Sequence, residues 1–222
     1  MPTTVYFFPG QGSDKRIFDS LTIDPAFKIK FIEYGTPDKN TSLKEFAKQL
    51  SKQIDTTEKF ILVGVSLGGM ICSEINEILH SEKVILISSA KNRNELPFRY
   101  RFQKYIPLYA IFPGSFLLAG AKIMQPLVEP DRNKNKETFK SMLKAKNSKY
   151  IKRTIKMIIK WDKRKNNEIA SKKIEHIHGT KDHTLPFRKI SSPDYAIKNG
   201  SHMMTLTRAK EISEVLNKIL KE

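Results

Sequence analysis

Short apolar runs and helix-spaced apolar stripes alternate along most of the chain. Val5–Phe8 is an apolar run followed by a Gly-rich turn, and the pattern predicts a helix over Ser13–Leu21. Lys28–Tyr34 (KIKFIEY) alternates as a strand does. Thr41 or Ser42 can cap a helix carrying Leu43, Phe46, Leu50 and Ile54 on one face. Phe60–Val63 predicts a buried strand, Ser66–Leu79 a helix and Lys83–Ser88 (KVILIS) another strand. Lys173–His178 (KIEHIH) and a weaker run at Tyr195–Ile197 add two more, and Arg208–Leu220 predicts a closing amphipathic helix. Strands that alternate with helices predict a three-layer α/β/α architecture: a mostly parallel sheet of about six strands, covered on both faces.

One block breaks the rhythm. From Lys91 to Trp161 no strand is predicted, and Pro97, Pro107, Pro113, Pro126 and Pro130 cut the segment into short helices. Tyr105–Val128 is apolar enough to raise a membrane span, but its internal prolines, two glycines and Lys122 argue against one. The expectation is one domain, 1–222, carrying a helical lid insertion at 91–161 over a pocket. Phe112, Phe116, Leu117 and Met124 are its candidate pocket-lining residues. The stretch YIKRTIKMIIKW, Tyr150–Trp161, predicts a helix with Ile151, Ile155, Ile158 and Ile159 on one face.

A chain of 222 residues suits a single α/β domain with a sizeable core. The start, MPTTVYFF, lacks a basic n-region and reads as a first strand rather than a signal peptide. The single Cys72 excludes an internal disulfide, suits a reducing cytoplasm and falls in an apolar helix as a buried thiol. The formal charge of +17 calls for a partner or for a lysine-rich solvated surface. Nearly all of the excess lies between Lys91 and Lys165. No zinc-ligand spacing, helix-turn-helix signature or strand of stacking aromatics supports a nucleic-acid partner.

The sharpest motif is Gly64-Val65-Ser66-Leu67-Gly68, between a predicted strand and a predicted helix. Composition alone gives roughly 0.03 matches to G-x-S-x-G in a chain like this one. A serine at such a turn is strained, and small neighbours let strand and helix close around it. Its hydroxyl then needs a base, and the base an orienting acid. His80 ends a helix, His176 and His178 lie within a strand, and His183 follows an acid in a loop. His202 follows the last strand, so it emerges at the same sheet edge as Ser66. Asp182, in Gly179-Thr180-Lys181-Asp182, follows the preceding strand and reaches that edge too.

GVSLGG, then GTKDHTLP, then GSHMM, resembles the α/β-hydrolase fold family across nearly the whole chain. The resemblance implies Ser66 as nucleophile, Asp182 as acid and His202 as general base, with Pro186 matching the proline that ends the family's acid loop. Phe8-Pro9-Gly10-Gln11-Gly12 takes the position of the family's oxyanion loop. By that alignment the N–H groups of Gln11 and Leu67 would hold the oxyanion. The chain departs from the family by starting at what would be its third strand, and by Val65 where many members have His or Tyr. A dinucleotide fingerprint would need glycine near position 15, which is Lys15.

The implied activity is a serine hydrolase acting on a carboxylic ester or thioester, a small-molecule acyl substrate that the basic rim would favour if anionic. No metal or organic cofactor is implied. FPGQGS also resembles the N-terminal motif of malonyl-CoA–acyl-carrier-protein transacylases, with Arg93 and His176 at loosely suitable distances from Ser66. A lidded scaffold that binds a small ligand without catalysis is the reading from a different class.

Overall fold

The computed structural model describes residues 2–113, 115–116, 119–120, 135–163 and 174–222. Six strands form one sheet: β1 Thr4–Phe8, β2 Lys28–Phe31, β3 Phe60–Val65, β4 Lys83–Ile87, β5 Ile174–Gly179 and β6 Tyr195–Ile197. Their order is β2-β1-β3-β4-β5-β6, and every neighbouring pair is parallel. The helices are α1 Leu43–Ser51, α2 Leu67–Ile75, α3 Phe98–Phe102, α4 Leu108–Ile111, α5 Lys136–Lys144, α6 Ser148–Lys160, α7 Met204–Thr207 and α8 Ala209–Lys221.

The strands read as continuous apolar runs because both sheet faces are covered. Tyr6, Phe8, Leu62 and Leu86 point to one side, where α1, α2 and the end of α6 close a core with Phe46, Ile71, Met157 and Trp161. Val5, Phe7, Val63 and Ile87 point to the other, where α8 adds Ile212, Leu216 and Ile219. Fully burying a side chain of this size stabilises by about 1.5–3 kcal/mol. Ser42 caps α1 through a reciprocal box with Glu45, which settles the choice between Thr41 and Ser42.

The helix expected over Ser13–Leu21 is a single 3-10 turn, Lys15–Phe18. Only Ile17 and Phe18 face the core there, and α8 holds the chain that follows. Ser213 Oγ accepts from Thr22 N–H, and Asn217 accepts from Asp24 N–H. The strand at Lys28 stops at Phe31, and α2 stops at Ile75, where single turns carry the chain through Leu79.

Among the described residues no strand lies between β4 and β5. Within that block α6 belongs to the core: Ile151, Ile158 and Ile159 are buried, and Ile155 is half-buried. Trp161 donates its indole N–H to the buried Glu74 carboxylate at 2.7 Å.

Candidate active site

Gln11, Ser66, Asp182 and His202 each follow a strand at the C-terminal edge of the sheet, as parallel topology requires. β3 passes directly into α2 at Ser66, whose φ of 52° and ψ of −117° lie in a region that non-glycine residues rarely adopt. Such a conformation costs on the order of 1–3 kcal/mol and persists only where the surroundings enforce it. Here they do. A Cβ on Gly64 would sit 2.5 Å from the backbone of Gly68, and one on Gly68 would sit 2.1 Å from the carbonyl oxygen of Phe8. Ser66 N–H donates to Ile87 O at 3.0 Å, and Ser89 Oγ donates to Ser66 O at 2.6 Å.

His202 follows β6 and is buried, with Nε2 2.9 Å from Ser66 Oγ and Nδ1 2.8 Å from Asp182 Oδ2. A carboxylate can only accept, so Nδ1 carries the imidazole proton and the Nε2 lone pair faces the serine hydroxyl. Asp182 follows β5 and is fully buried as a side chain. Its Oδ1 accepts from the N–H groups of Thr184 and Leu185, each at 2.8 Å. Burial alone would raise its pKa. The bonds and charges of His202, His178 and the Leu185 N–H outweigh that and hold it below the usual carboxylate range.

The loop after β1 crosses the start of α2. A Cβ on Gly10 would come within 3.3 Å of Ser66 Cβ, and Gly12 turns the chain with a φ of 77°. Ser13 Oγ donates to Gly10 O at 2.9 Å, and Gln11 Nε2 donates to Thr154 Oγ1 on α6 at 2.8 Å. Neither the Gln11 N–H nor the Leu67 N–H meets an acceptor among the described residues. The Leu67 N–H belongs to the first residue of α2, at the positive end of that helix, where developing negative charge is favoured.

Sequence reading missed three supports. His178, which the sequence places only within a strand, has its Nε2 3.4 Å from Asp182 Oδ2 and donates to Leu185 O at 2.8 Å. Its Nδ1 therefore accepts from His176 Nε2, at 3.2 Å. Burial, first, and the neighbouring imidazole keep His176 neutral, its pKa well below the ordinary histidine value. The available signal was the period-two spacing of His176 and His178, which ends four residues before Asp182. Ser89 and Thr154 gave no signal, because each acts across the fold on a distant loop.

Phe112 and Phe116 stack on each other at 5.0 Å and are exposed, while Leu117 and Met124 lie outside the described residues. The groups that would serve the transacylase reading are engaged elsewhere. Arg93 donates to the carbonyls of Ile159 and Trp161 at the end of α6, and His176 is paired with His178.

The topology and the strained serine turn define an α/β-hydrolase fold, and solved structures agree. An enol-lactonase from Burkholderia xenovorans LB400 superposes with a TM-score of 0.78 at 13% identity, covering 100% of this chain and 92% of that one. A thermophilic esterase from Thermogutta terrifontis gives 0.72 at 14% identity, covering 99% and 89%. An esterase from Exiguobacterium antarcticum gives 0.69 at 17% identity, covering 99% and 92%. No protein-family model and no curated protein sequence matches the chain.

Proposed function

We propose that this chain is a serine hydrolase that cleaves a carboxylic ester or thioester through an acyl-enzyme on Ser66. The observation that carries the reading is the continuous chain from Ser66 Oγ through His202 to Asp182, at 2.9 and 2.8 Å, on a strained turn. Ser66 Oγ attacks the acyl carbonyl while His202 Nε2 takes its proton, and the carbonyl oxygen becomes an oxyanion facing the N–H groups of Gln11 and Leu67. The imidazolium returns the proton to the leaving alcohol or thiol as the tetrahedral intermediate collapses. Water, deprotonated by the same nitrogen, then releases the acid and restores the serine. Asp182 stays ionised throughout and stabilises the imidazolium.

The segment between β4 and β5 would act as the lid, with the Phe112–Phe116 stack offering apolar surface to the acyl chain. The solved neighbours named above include an enol-lactonase and esterases, which supports this reaction class. An acyltransferase is less well supported, because Arg93 and His176 are held in structural bonds.

The test is labelling by a fluorophosphonate together with turnover of p-nitrophenyl esters and acyl thioesters. Ser66→Ala should lose the label and at least about a thousandfold in kcat while the fold persists. A variant that keeps full turnover removes Ser66 from the mechanism, and a wild-type protein that neither labels nor turns over favours the ligand-binding scaffold.

A further inference from the structure

The large positive charge has no part in the proposed chemistry, and, the Phe112–Phe116 stack apart, neither does a concentration of exposed apolar side chains on the same segment. Nine large hydrophobic residues are exposed among the described residues, and all but Phe31 and Ile78 lie between Phe98 and Phe116. Tyr105 is 80% exposed, Ile111 75% and Phe98 67%. They sit on α3, on α4 and in the turn between them, and both helices pack against α6. From Leu96 to Val128 the sequence contains no acidic residue, while Arg99, Arg101, Lys104 and Lys122 are basic. Leaving this much apolar surface in water costs free energy, and an extended exposed patch marks a contact surface.

The neighbouring surface supplies the charge. A cavity of about 440 Å³ between α4 and α6 is lined by Lys39, Tyr109, Ala110, Lys149, Lys152, Arg153 and Lys156. Lys152 Nζ donates to the carbonyls of Ala110 and Phe112, at 3.2 and 3.0 Å, so the basic wall joins the apolar helix directly. Lys156 donates to Lys39 O and Asn40 Oδ1, and Arg153 to Pro37 O. These are neutral partners that leave the positive charge in place. Among the described residues no carboxylate pairs with any of the five cations. Partial burial, and then the proximity of Lys160 and Lys39, lowers the Lys156 pKa.

We infer that the α3–α4 face is a peripheral docking surface for an anionic lipid bilayer. Tyr105, Ile106 and Ile111 enter the headgroup–acyl boundary, and the adjoining basic cavity takes lipid phosphates. An exposed apolar face beside a cationic one is the composition that holds a short helical segment in the interfacial plane. No helix among the described residues is long and apolar enough to cross a membrane, so the contact is superficial. Nucleic acid would leave the exposed aliphatic side chains of Ile106 and Ile111 without an apolar partner, whereas a bilayer covers them. This inference does not depend on the proposed hydrolase activity.

The test is sedimentation of the full chain with vesicles of phosphatidylcholine alone and of phosphatidylcholine mixed with phosphatidylglycerol. Binding is expected only to the anionic vesicles and should weaken as salt rises. Each charge reversal at Lys149 or Lys152 (Lys→Glu) should weaken it at least about fivefold. Tyr105→Ser and Ile111→Ser should also weaken it severalfold with an unchanged melting temperature, whereas the distant Ile78→Ser should not. Failure to bind anionic vesicles at low salt overturns the inference. So does binding that Tyr105→Ser and Ile111→Ser leave intact, since charge alone would then explain it. A duplex that binds while anionic vesicles do not would make nucleic acid the partner. A concentration-dependent dimer lost on Ile111→Ser, with no vesicle binding, would make a second copy of the chain the occupant.

Discussion

Asp182→Asn is the substitution whose outcome follows most directly from the geometry. The carboxylate meets two different demands: Oδ1 accepts two backbone N–H groups, and Oδ2 faces His202 Nδ1 and His178 Nε2. An amide has one acceptor and cannot serve both. If its oxygen faced His202, its NH2 would meet the buried N–H groups of Thr184 and Leu185, stranding two donors at about 1–3 kcal/mol each. The other orientation therefore wins, with oxygen on the loop and NH2 toward His202. Nδ1 must then accept, so the imidazole proton moves to Nε2 and points at Ser66 Oγ, where it blocks proton abstraction. The same tautomer trap in a serine protease lowers kcat about 10⁴-fold, and a drop of that order is expected here. The lost charged hydrogen bond should cost about 1.5–3 kcal/mol, or about 3–12 °C in Tm for a chain of this length. Steady-state kinetics on a p-nitrophenyl ester and calorimetry measure the two effects separately. Asp194→Asn is the control: Asp194 precedes β6 and accepts from His176 N–H at 2.8 Å in the middle of β5, outside the chain from Ser66 to Asp182, and the variant should turn over normally. An Asp182→Asn enzyme within tenfold of wild type, or an equally crippled Asp194→Asn, would refute the assignment.

Gly68→Ala should fail to fold, because its Cβ would meet the Phe8 backbone at 2.1 Å, whereas Gly35→Ala meets nothing within 4 Å and should melt normally. Soluble yield and melting curves compare the two. Thr154→Val removes the acceptor that anchors the Gln11 side chain, and should lower kcat about tenfold, short of the hundredfold or more that loss of an oxyanion donor costs. If kcat is unchanged, the side-chain anchor does not position the loop. Burial depresses the pKa of both His176 and His178, so below about pH 6.5 the unfolded chain binds protons that the folded chain refuses. Stability should therefore fall on acidification, at up to about 1.4 kcal/mol per pH unit for each histidine. The lowered pKa of Asp182 adds its loss only below about pH 4, as pH falls through the folded value. Denaturant midpoints that stay flat between about pH 6.5 and 5 would show that these imidazoles titrate normally in the fold.

Strand residues and site residues were legible for the same reason: a parallel sheet buried on both faces needs unbroken apolar runs, and each run ends where a loop must leave. Once Val5–Phe8, Phe60–Val65, Ile174–Gly179 and Tyr195–Ile197 are strands, Gln11, Ser66, Asp182 and His202 must share one edge. The misreadings have a common physical cause as well. The stretch Ser13–Leu21 has enough apolar residues for a helix, but α8 already covers that face, so one turn suffices and the rest is held by Ser213 and Asn217. Tertiary cover overrode local spacing there, and local spacing carries no record of it.

The same distinction explains the supports around Asp182. Its own contacts are partly local, since Thr184 and Leu185 fold back onto Oδ1 from the next turn, and a Gly-x-x-Asp loop after a strand announces them. His178 is also local in sequence, but its role comes from strand pleat: residues 176 and 178 point to one face, and the acid loop folds over that face. The result is a carboxylate with imidazoles on one oxygen and backbone donors on the other, all buried, which leaves it little freedom to move or to protonate. A nucleophile on a strained turn demands a base held to within a few tenths of an ångström. The neutral His178 holds the Leu185 carbonyl, and with it the loop that carries Asp182, so the anchor of the site lies one residue deeper than the three side chains that would carry out the reaction.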